Sequence, residues 1–326
     1  MTETPLLDVR HVSKSFAKQR SLADIVLRTP RRSLQAVRDV SFTVAPGETL
    51  GLVGESGCGK STLGRAIAGF HSPTSGEIFL NGQPISGVHY DRVALSRRIQ
   101  MIFQDPYSSL NPRLTVGSIL AEVLKVHGLR QGQKAIEARV DELLGIVGLP
   151  LESKHKLPHA FSGGQRQRIS IARALAAEPE LIIADEPVSA LDVSIQAQIL
   201  NLFEDLQKNF GLAFLFIAHD LNVVHHISHR IAVMYLGEIV EIAEADTIFH
   251  HPKHPYTRAL LSAIPDPDPA KRTETVSLAG ELPDPNNPPL GCALVGRCPI
   301  RVEKCAKHHP PLLHVGDTDV RCFLAQ

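Results

Sequence analysis

Gly54-Glu55-Ser56-Gly57-Cys58-Gly59-Lys60-Ser61 follows the apolar run Thr49–Val53 and opens onto Thr62–Gly69, which reads as a helix. Strand, glycine loop and helix in that order is the setting in which G-x-x-x-x-G-K-S binds phosphate. Glycines let the backbone curl so that successive N–H groups point inward, and the helix N-terminus adds partial positive charge. Lys60 then reaches the β- and γ-phosphates of a nucleoside triphosphate, and the Ser61 hydroxyl ligates Mg²⁺. Gly54, Ser56, Gly57, Cys58, Gly59 and Thr62 complete the expected cradle. Cys58 reads as a small loop residue, with thiol reactivity as the alternative because it lies beside oriented N–H dipoles.

Outward from the loop, Leu7–Val12 reads as a short strand followed by Phe16. Residues 17–34 are polar and basic through Arg20, Arg28, Arg31 and Arg32, an inserted loop that fits either a solvated excursion or a binding arm. Val37–Val44 alternates as a strand, and Ala45-Pro46-Gly47-Glu48 turns into the phosphate-loop strand. Glu77–Leu80 with Asn81-Gly82 reads as strand and tight turn, and Ile99–Phe103 as a buried strand ending at Gln104. Val116, Ile119, Leu120, Val123 and Leu124 mark one helix face behind a Thr115 cap; Ile136, Val140, Leu143, Leu144 and Val147 mark another. A helical insert, about residues 105–178, thus interrupts the strand–helix alternation. Leu181–Ala184, Ala213–Ala218, Ile231–Tyr235 and Glu238–Ala243 resume it as strands. The expected class is α/β: an open, mostly parallel sheet with antiparallel strands, helices on both faces, and nucleotide at the strands' C-terminal ends.

The 326 residues are 43% apolar, enough for one large domain with an appendage. Lys+Arg and Asp+Glu both number 34, so no bulk positive field draws the chain to nucleic acid or lipid. The longest apolar run, Leu212–Ala218, is too short to span a bilayer, and the N-terminus lacks a signal-peptide pattern. The expectation is a cytosolic chain that meets a membrane only through a partner. Residues 265–290 hold seven prolines and read as a stiff linker between a body over 1–264 and a small module at 291–326. That module carries Cys292-x5-Cys298-x6-Cys305-x16-Cys322. Zinc sites usually bring ligands in pairs two to four residues apart, and no such pair is present. Four widely spaced thiolates can instead wrap a cuboidal iron–sulfur cluster. On spacing alone a cluster, one zinc ion and free thiols all stay open. His225-His226, His250-His251 and His308-His309 read as surface polar residues.

The chemistry lies in a constellation. Asp185 ends a buried strand and suits Mg²⁺, while Glu186 sits where a base orients an attacking water. The same pair also fits a helix N-cap with a first-turn acid. Gln104 ends an earlier strand within reach of metal or water, and His219 closes a later one, placed for a γ-phosphate or simply as a polar exit. Ser162-Gly163-Gly164-Gln165 opens a helix as a second anion-binding surface, and Ser189-Ala190-Leu191-Asp192 follows the acid pair. In this order the motifs resemble the ATP-binding cassette family, the nucleotide-binding subunits of ABC transporters, over about 240 residues. The resemblance implies that two cassettes meet head to tail and share ATP and Mg²⁺, each phosphate loop facing the partner's Ser162–Gln165 turn. It also implies Glu186, His219 and Gln104 as catalytic residues, Ser61, Gln104 and Asp185 as Mg²⁺ ligands, and Asp192 in nucleotide contact. Phe16 would stack on adenine, with core packing as the alternative.

Phe103-Gln-Asp-Pro-Tyr-Ser-Ser-Leu-Asn-Pro-Arg113, His254-Pro-Tyr-Thr-Arg-Ala-Leu-Leu261 and the terminal cysteines narrow the match. They resemble the dipeptide/oligopeptide importer ATPases, and within them the second ATPase of the pair. That resemblance implies ATP-driven peptide import by a heterodimer with a sister ATPase. The pair would sit under two permease subunits on the cytoplasmic side of the inner or plasma membrane, fed by an extracytoplasmic substrate-binding protein, with no nucleic acid. It points to a 4Fe–4S cluster on Cys292, Cys298, Cys305 and Cys322. Because the helices at 115–147 follow Gln104, a γ-phosphate contact at Gln104 can pull on the surface that meets the permease, with Tyr107 and Leu110 as the expected coupling residues. Nickel and glutathione importers share this ATPase type and are the alternative cargo. A soluble cassette ATPase of translation or repair is more distant, since those carry two cassettes or a long coiled-coil insert.

Overall fold

The computed structural model describes residues 4–17, 33–86, 91–264, 278, 280, 283–284 and 286–325. Residues 18–32 of the inserted loop and most of the Pro-rich stretch lie outside the described residues. The chain divides into two units, Met1–Thr43 with Leu50–Gly87 and His219–Gln326, and Val44–Thr49 with Val88–Ala218.

In the first unit, β1 (Leu7–Ala17), β2 (Ser33–Val44), β4 (Ser75–Leu80) and β5 (Gln83–Pro84) form a sheet in the order β2-β1-β4-β5. β1 is longer than the expected Leu7–Val12 and carries Phe16 near its end. It pairs antiparallel with β4, Leu7 opposite Leu80. Asn81 and Gly82 both have positive φ, 50° and 71°, as a two-residue type I′ hairpin turn requires. The phosphate-loop strand β3 (Thr49–Val53) runs parallel to β9 (Arg230–Tyr235), Leu50 opposite Arg230. β10 (Glu238–Glu244) returns antiparallel to β9 through Leu236-Gly237, again with both φ positive.

Residues 313–320, expected inside a tethered tail module, form β11 (Leu313–Val315) and β12 (Thr318–Val320). β12 pairs antiparallel with β10, Val320 opposite Glu241, and the Arg321 N–H donates to Val240 O at 2.8 Å. Thr318 and Val320 are fully buried, so this pairing removes apolar surface from water as well as satisfying the β10 edge.

In the second unit β6 (Ile99–Ile102), β7 (Leu181–Asp185) and β8 (Ala213–Ile217) are parallel, with Ile99 opposite Leu181 and Leu181 opposite Ala213. β7 and β8 are buried at every position, which is why they read as unbroken apolar runs. Phe203 of the helix Val193–Phe210 packs edge-on to Phe214 and Phe216 at 5.5 and 5.7 Å. The parallel majority expected of the whole sheet holds here. In the first unit β3 and β9 are parallel too, while β10 returns antiparallel to β9 because a two-residue turn at 236–237 has no room for a crossover. The helical insert appears as Val116–Val126, Gln133–Ile146 and Gly163–Ala176, and Thr115 Oγ1 caps the first by accepting the Ser118 N–H at 3.2 Å. No helix among the described residues is long and apolar enough to cross a membrane.

Candidate functional site

The phosphate loop belongs to the first unit. A Cβ at Gly54 (φ 154°) would lie 2.1 Å from Met234 O, and one at Gly59 (φ 111°) 2.1 Å from Ala36 O. Backbone on both sides therefore excludes side chains there. Gly59 is the left-handed N-cap of the helix Lys60–Ile67, and no side chain caps that helix. The first N–H groups of a helix project from its end, the geometry in which backbone binds an anion. Ser56 and Gly57 form the exposed tip, and Ser61 and Thr62 are half-buried on the first turn. Lys60 is buried, and its Nζ donates to Gly54 O at 2.7 Å and Glu55 O at 3.1 Å, folded over the loop's own carbonyls.

Cys58 is buried, and desolvation pushes its thiol above the usual range although Lys60 opposes the shift. That decides against the reactive alternative, which needs an exposed, stabilised thiolate. The Glu55 N–H donates to Tyr256 Oη at 2.9 Å, and its carboxylate accepts from Arg297 Nη1 at 3.2 Å on each oxygen. Phe16 is 36% exposed, edge-on to His71 at 5.6 Å, so its ring is no core residue. His219 is exposed and directly precedes Asp220, which caps the helix Leu221–Ile227.

The remaining motif residues belong to the second unit. Asp185 ends β7 at 3% exposure. Glu186 follows with φ 49°, its N–H donating to Ile217 O at 2.9 Å and its Oε2 accepting from Gln104 Nε2 at 2.9 Å. The fold thus brings together an acid and an amide 82 residues apart. Ser162 Oγ accepts the Gln165 N–H at 3.4 Å while Gln165 Oε1 accepts the Ser162 N–H at 3.1 Å, a capping box on the helix Gly163–Ala176. The sequence reads this turn as an anion-binding surface made of backbone N–H groups and the Ser162 hydroxyl. In the structure the Ser162 and Gln165 side chains accept from their own helix, which leaves the Ser162 hydroxyl proton to be donated. A Cβ on Gly164 would lie 2.4 Å from Ile195 Cγ2, and one on Gly163 3.5 Å from Leu191 Cδ2, so this turn packs directly on the Leu191–Ile195 segment. Asp192 is exposed at the N-cap position of Val193–Phe210 without a side-chain cap bond. Tyr107 is 64% exposed with Arg166 Cζ 3.8 Å above its ring, whereas Leu110 is buried. Of the two residues expected on a partner surface, only Tyr107 is available.

Cys305 is buried and Cys292, Cys298 and Cys322 are half-buried, all without disulfides. The Cys292 N–H donates to Cys305 O at 2.8 Å. Burial pushes the Cys292 thiol up to about 11, with Cys305, Cys322 and Cys298 adding to the shift, and it raises Cys298 likewise. Cys292 and Cys298 thus lie within electrostatic reach of the other cysteines. Yet among the described residues no three of them bring their sulfurs within 4.8 Å of one another. A tetrahedral zinc with bonds of about 2.3 Å holds sulfurs about 3.8 Å apart. The three-ligand set that does meet that distance is His225, Asp246 and His250. There His225 Nε2 bonds Asp246 Oδ1 at 2.8 Å and its ring stacks on Phe249 at 4.3 Å, an ordinary surface arrangement. Sequence spacing misses the set because its members come from two helices.

Residues 37–189 match the family model described as ABC transporter, and residues 240–305 the one described as oligopeptide/dipeptide transporter, C-terminal region. The oligopeptide transport ATP-binding protein OppF of Bacillus subtilis is 55% identical over 271 residues, covering 82% of this chain and 85% of OppF. YkfD of the same organism is 50% identical over 318 residues, 97% of this chain and 94% of its own. Among solved structures, cbiO1 of Clostridium perfringens, part of the ABC transporter complex cbiONQ, gives a TM-score of 0.65 at 26% identity, covering 76% of this chain and 92% of its own. A dimeric ATP-binding cassette in a post-hydrolysis state, bound to ADP and Pi, gives 0.63 at 26% identity over 73% of this chain and 98% of its own.

Proposed function

The chain belongs to the ABC transporter family of ATP-binding proteins, and from that premise we propose that it binds and hydrolyses ATP to power import of di- and oligopeptides. The observation that carries the cargo class is the match of residues 240–305 to the oligopeptide/dipeptide transporter C-terminal region. It favours peptides over nickel or glutathione as cargo. In the first unit, Gly54–Thr62 hold phosphate through backbone N–H groups. Lys60 Nζ leaves the carbonyls of Gly54 and Glu55 for the β- and γ-phosphates, Phe16 stacks on adenine, and His219 contacts the γ-phosphate. In the second, Glu186 orients and deprotonates the attacking water, and its bond from Gln104 supports this assignment. Of the Mg²⁺ ligands in this reading, Ser61 lies in the first unit and Gln104 and Asp185 in the second; bound, the ion would neutralise charge on the phosphates. Ser162–Gln165 and Asp192 face the nucleotide of a sister ATPase. The same reading carries two permease subunits, an extracytoplasmic binding protein and a peripheral position on the cytoplasmic face of the membrane.

Vesicles containing the assembled transporter test it. ATP-driven uptake of a labelled peptide is expected with the wild type, and Lys60→Ala should lose at least about tenfold in both MgATP binding and uptake. Uptake unaffected by Lys60→Ala would overturn the reading.

The division into a body over 1–264, a connector over 265–290 and a four-cysteine segment over 291–326 belongs to this proposal, as does a structural 4Fe–4S cluster on that segment. Four cysteines without disulfides in one short segment, with the Cys292 N–H bonded to Cys305 O, motivate it. Bound, the cluster would cross-link loops that hold little apolar sequence. Protein purified anaerobically should be brown with about four irons per chain. A colourless protein carrying one zinc would sink the cluster and leave the ATPase untouched.

A further inference from the structure

Glu55 occupies the second position of the phosphate loop, where neither backbone geometry nor phosphate binding asks for a carboxylate. Its side chain is 26% exposed and that of Arg297, which bonds both its oxygens, is 12% exposed. Arg297 stands 242 residues along the chain, directly before Cys298. Its place is set by a turn of the cysteine segment: the N–H groups of Arg297 and Cys298 both donate to Leu294 O, at 2.9 and 2.8 Å, and Leu294 is buried. The guanidinium also faces Tyr235, with Cζ 5.9 Å from the ring centroid. Tyr235 packs on Tyr256 at 4.6 Å, and the Tyr256 hydroxyl takes the Glu55 N–H. Glu55 is therefore held by its side chain and its backbone at once, while its carbonyl receives Lys60 Nζ.

Charge gives this arrangement a consequence. An uncompensated carboxylate in a loop built for a polyanion repels its ligand across a short, partly desolvated distance. Arg297 cancels that charge at contact.

We propose that Arg297 is a positioning residue for the phosphate loop: it anchors and neutralises Glu55, so that nucleotide triphosphate affinity depends on the C-terminal cysteine segment. The inference rests on the reading of the loop as an ATP site and adds a second segment that acts on it.

The test is calorimetric titration of the full-length chain with MgATP, with a melting curve for each variant. Arg297→Ala should weaken binding about three- to tenfold, the scale of a partly exposed ion pair, and the loss should shrink at high salt. Arg297→Lys keeps the charge and should stay within about twofold. Adding Glu55→Gln to Arg297→Ala should recover most of the loss. A folded Arg297→Ala with unchanged affinity, its melting point alone lowered, would make the pair merely structural and overturn the proposal. Equal weakening in the single and double variants would overturn it too. Should Arg297→Ala not fold, Glu55→Gln alone decides: removing the carboxylate while leaving the guanidinium tightens MgATP binding, and weaker binding counts against the idea. Lys60→Ala separates the two levels. A wild type that binds MgATP no better than Lys60→Ala brings down the ATP reading itself, whereas a normal Lys60→Ala loss beside an unaffected Arg297→Ala brings down only the inference.

Discussion

Glu186 stands in a left-handed backbone conformation, φ 49°, that costs a non-glycine residue on the order of 1 kcal/mol. Three contacts hold it there. Its N–H bonds Ile217 O, its carbonyl accepts from Ser189 N–H and Oγ at 3.3 and 3.1 Å, and its carboxylate accepts from Gln104. The strand ends at this kink: Asp185 is its last buried residue, and Glu186 beyond it is half-buried. Glu186→Gln preserves shape and can still accept from Gln104, so it should fold, retain MgATP binding and turn over ~10²–10⁴-fold more slowly. Steady-state hydrolysis near the wild-type rate would remove Glu186 from the role of base.

The helix Pro255–Ser262 shows how an element carries order towards the loop. Glu241 of β10 accepts the N–H groups of Lys253 and His254 at 2.6 and 3.1 Å. His254 Nδ1 caps the helix by accepting the Tyr256 N–H at 3.1 Å, and Tyr256 Oη in turn accepts from Glu55. His254 is 2% exposed, and burial drives its pKa down to about 3. The unfolded imidazole takes a proton near pH 6.5 and the folded one does not until about pH 3. Its contribution to stability is therefore complete above pH 6.5 and falls by about 1.4 kcal/mol per pH unit below it. Glu241, raised by burial, titrates with the opposite sign and offsets part of the slope. His254→Asn keeps an N-cap acceptor but cannot titrate. Urea midpoints of the variant should gain on the wild type steadily between pH 6.5 and about 4, with a constant difference above pH 7. Parallel curves through the acid window would contradict the assignment.

At the scale of the whole molecule the question is how hydrolysis reaches a membrane partner. Tyr107 lies three residues beyond Gln104, 64% exposed and held against Arg166. An aromatic kept rigid at the surface suits an interface anchor. Tyr107→Ala should abolish most peptide uptake while basal ATP hydrolysis stays within about twofold, because no core contact is lost. Equal loss of both activities would argue against a coupling role. Leu110→Ala is a different experiment: the side chain is 3% exposed, and truncating it should cost about 2–5 kcal/mol of stability.

The sequence by itself determined the phosphate-loop motif, the apolar runs that become β3, β6, β7 and β8, the Asn81-Gly82 turn and the Thr115 cap. Each of these is a local instruction: glycine at positive φ, a capping oxygen, an apolar period, a donor set within a few residues. Tertiary structure alone decided which distant partners meet. The Gln104–Glu186 bond, the burial of Leu110, the joining of β12 to β10 and the Arg297–Glu55 pair have no signature in spacing. Charge and hydrophobicity say that a side chain seeks a partner or a core, but pairing register and burial are set by whatever segment packs there. That is why Arg297, an unremarked basic residue between a glycine and a cysteine, becomes part of the nucleotide loop only once the chain has closed on itself.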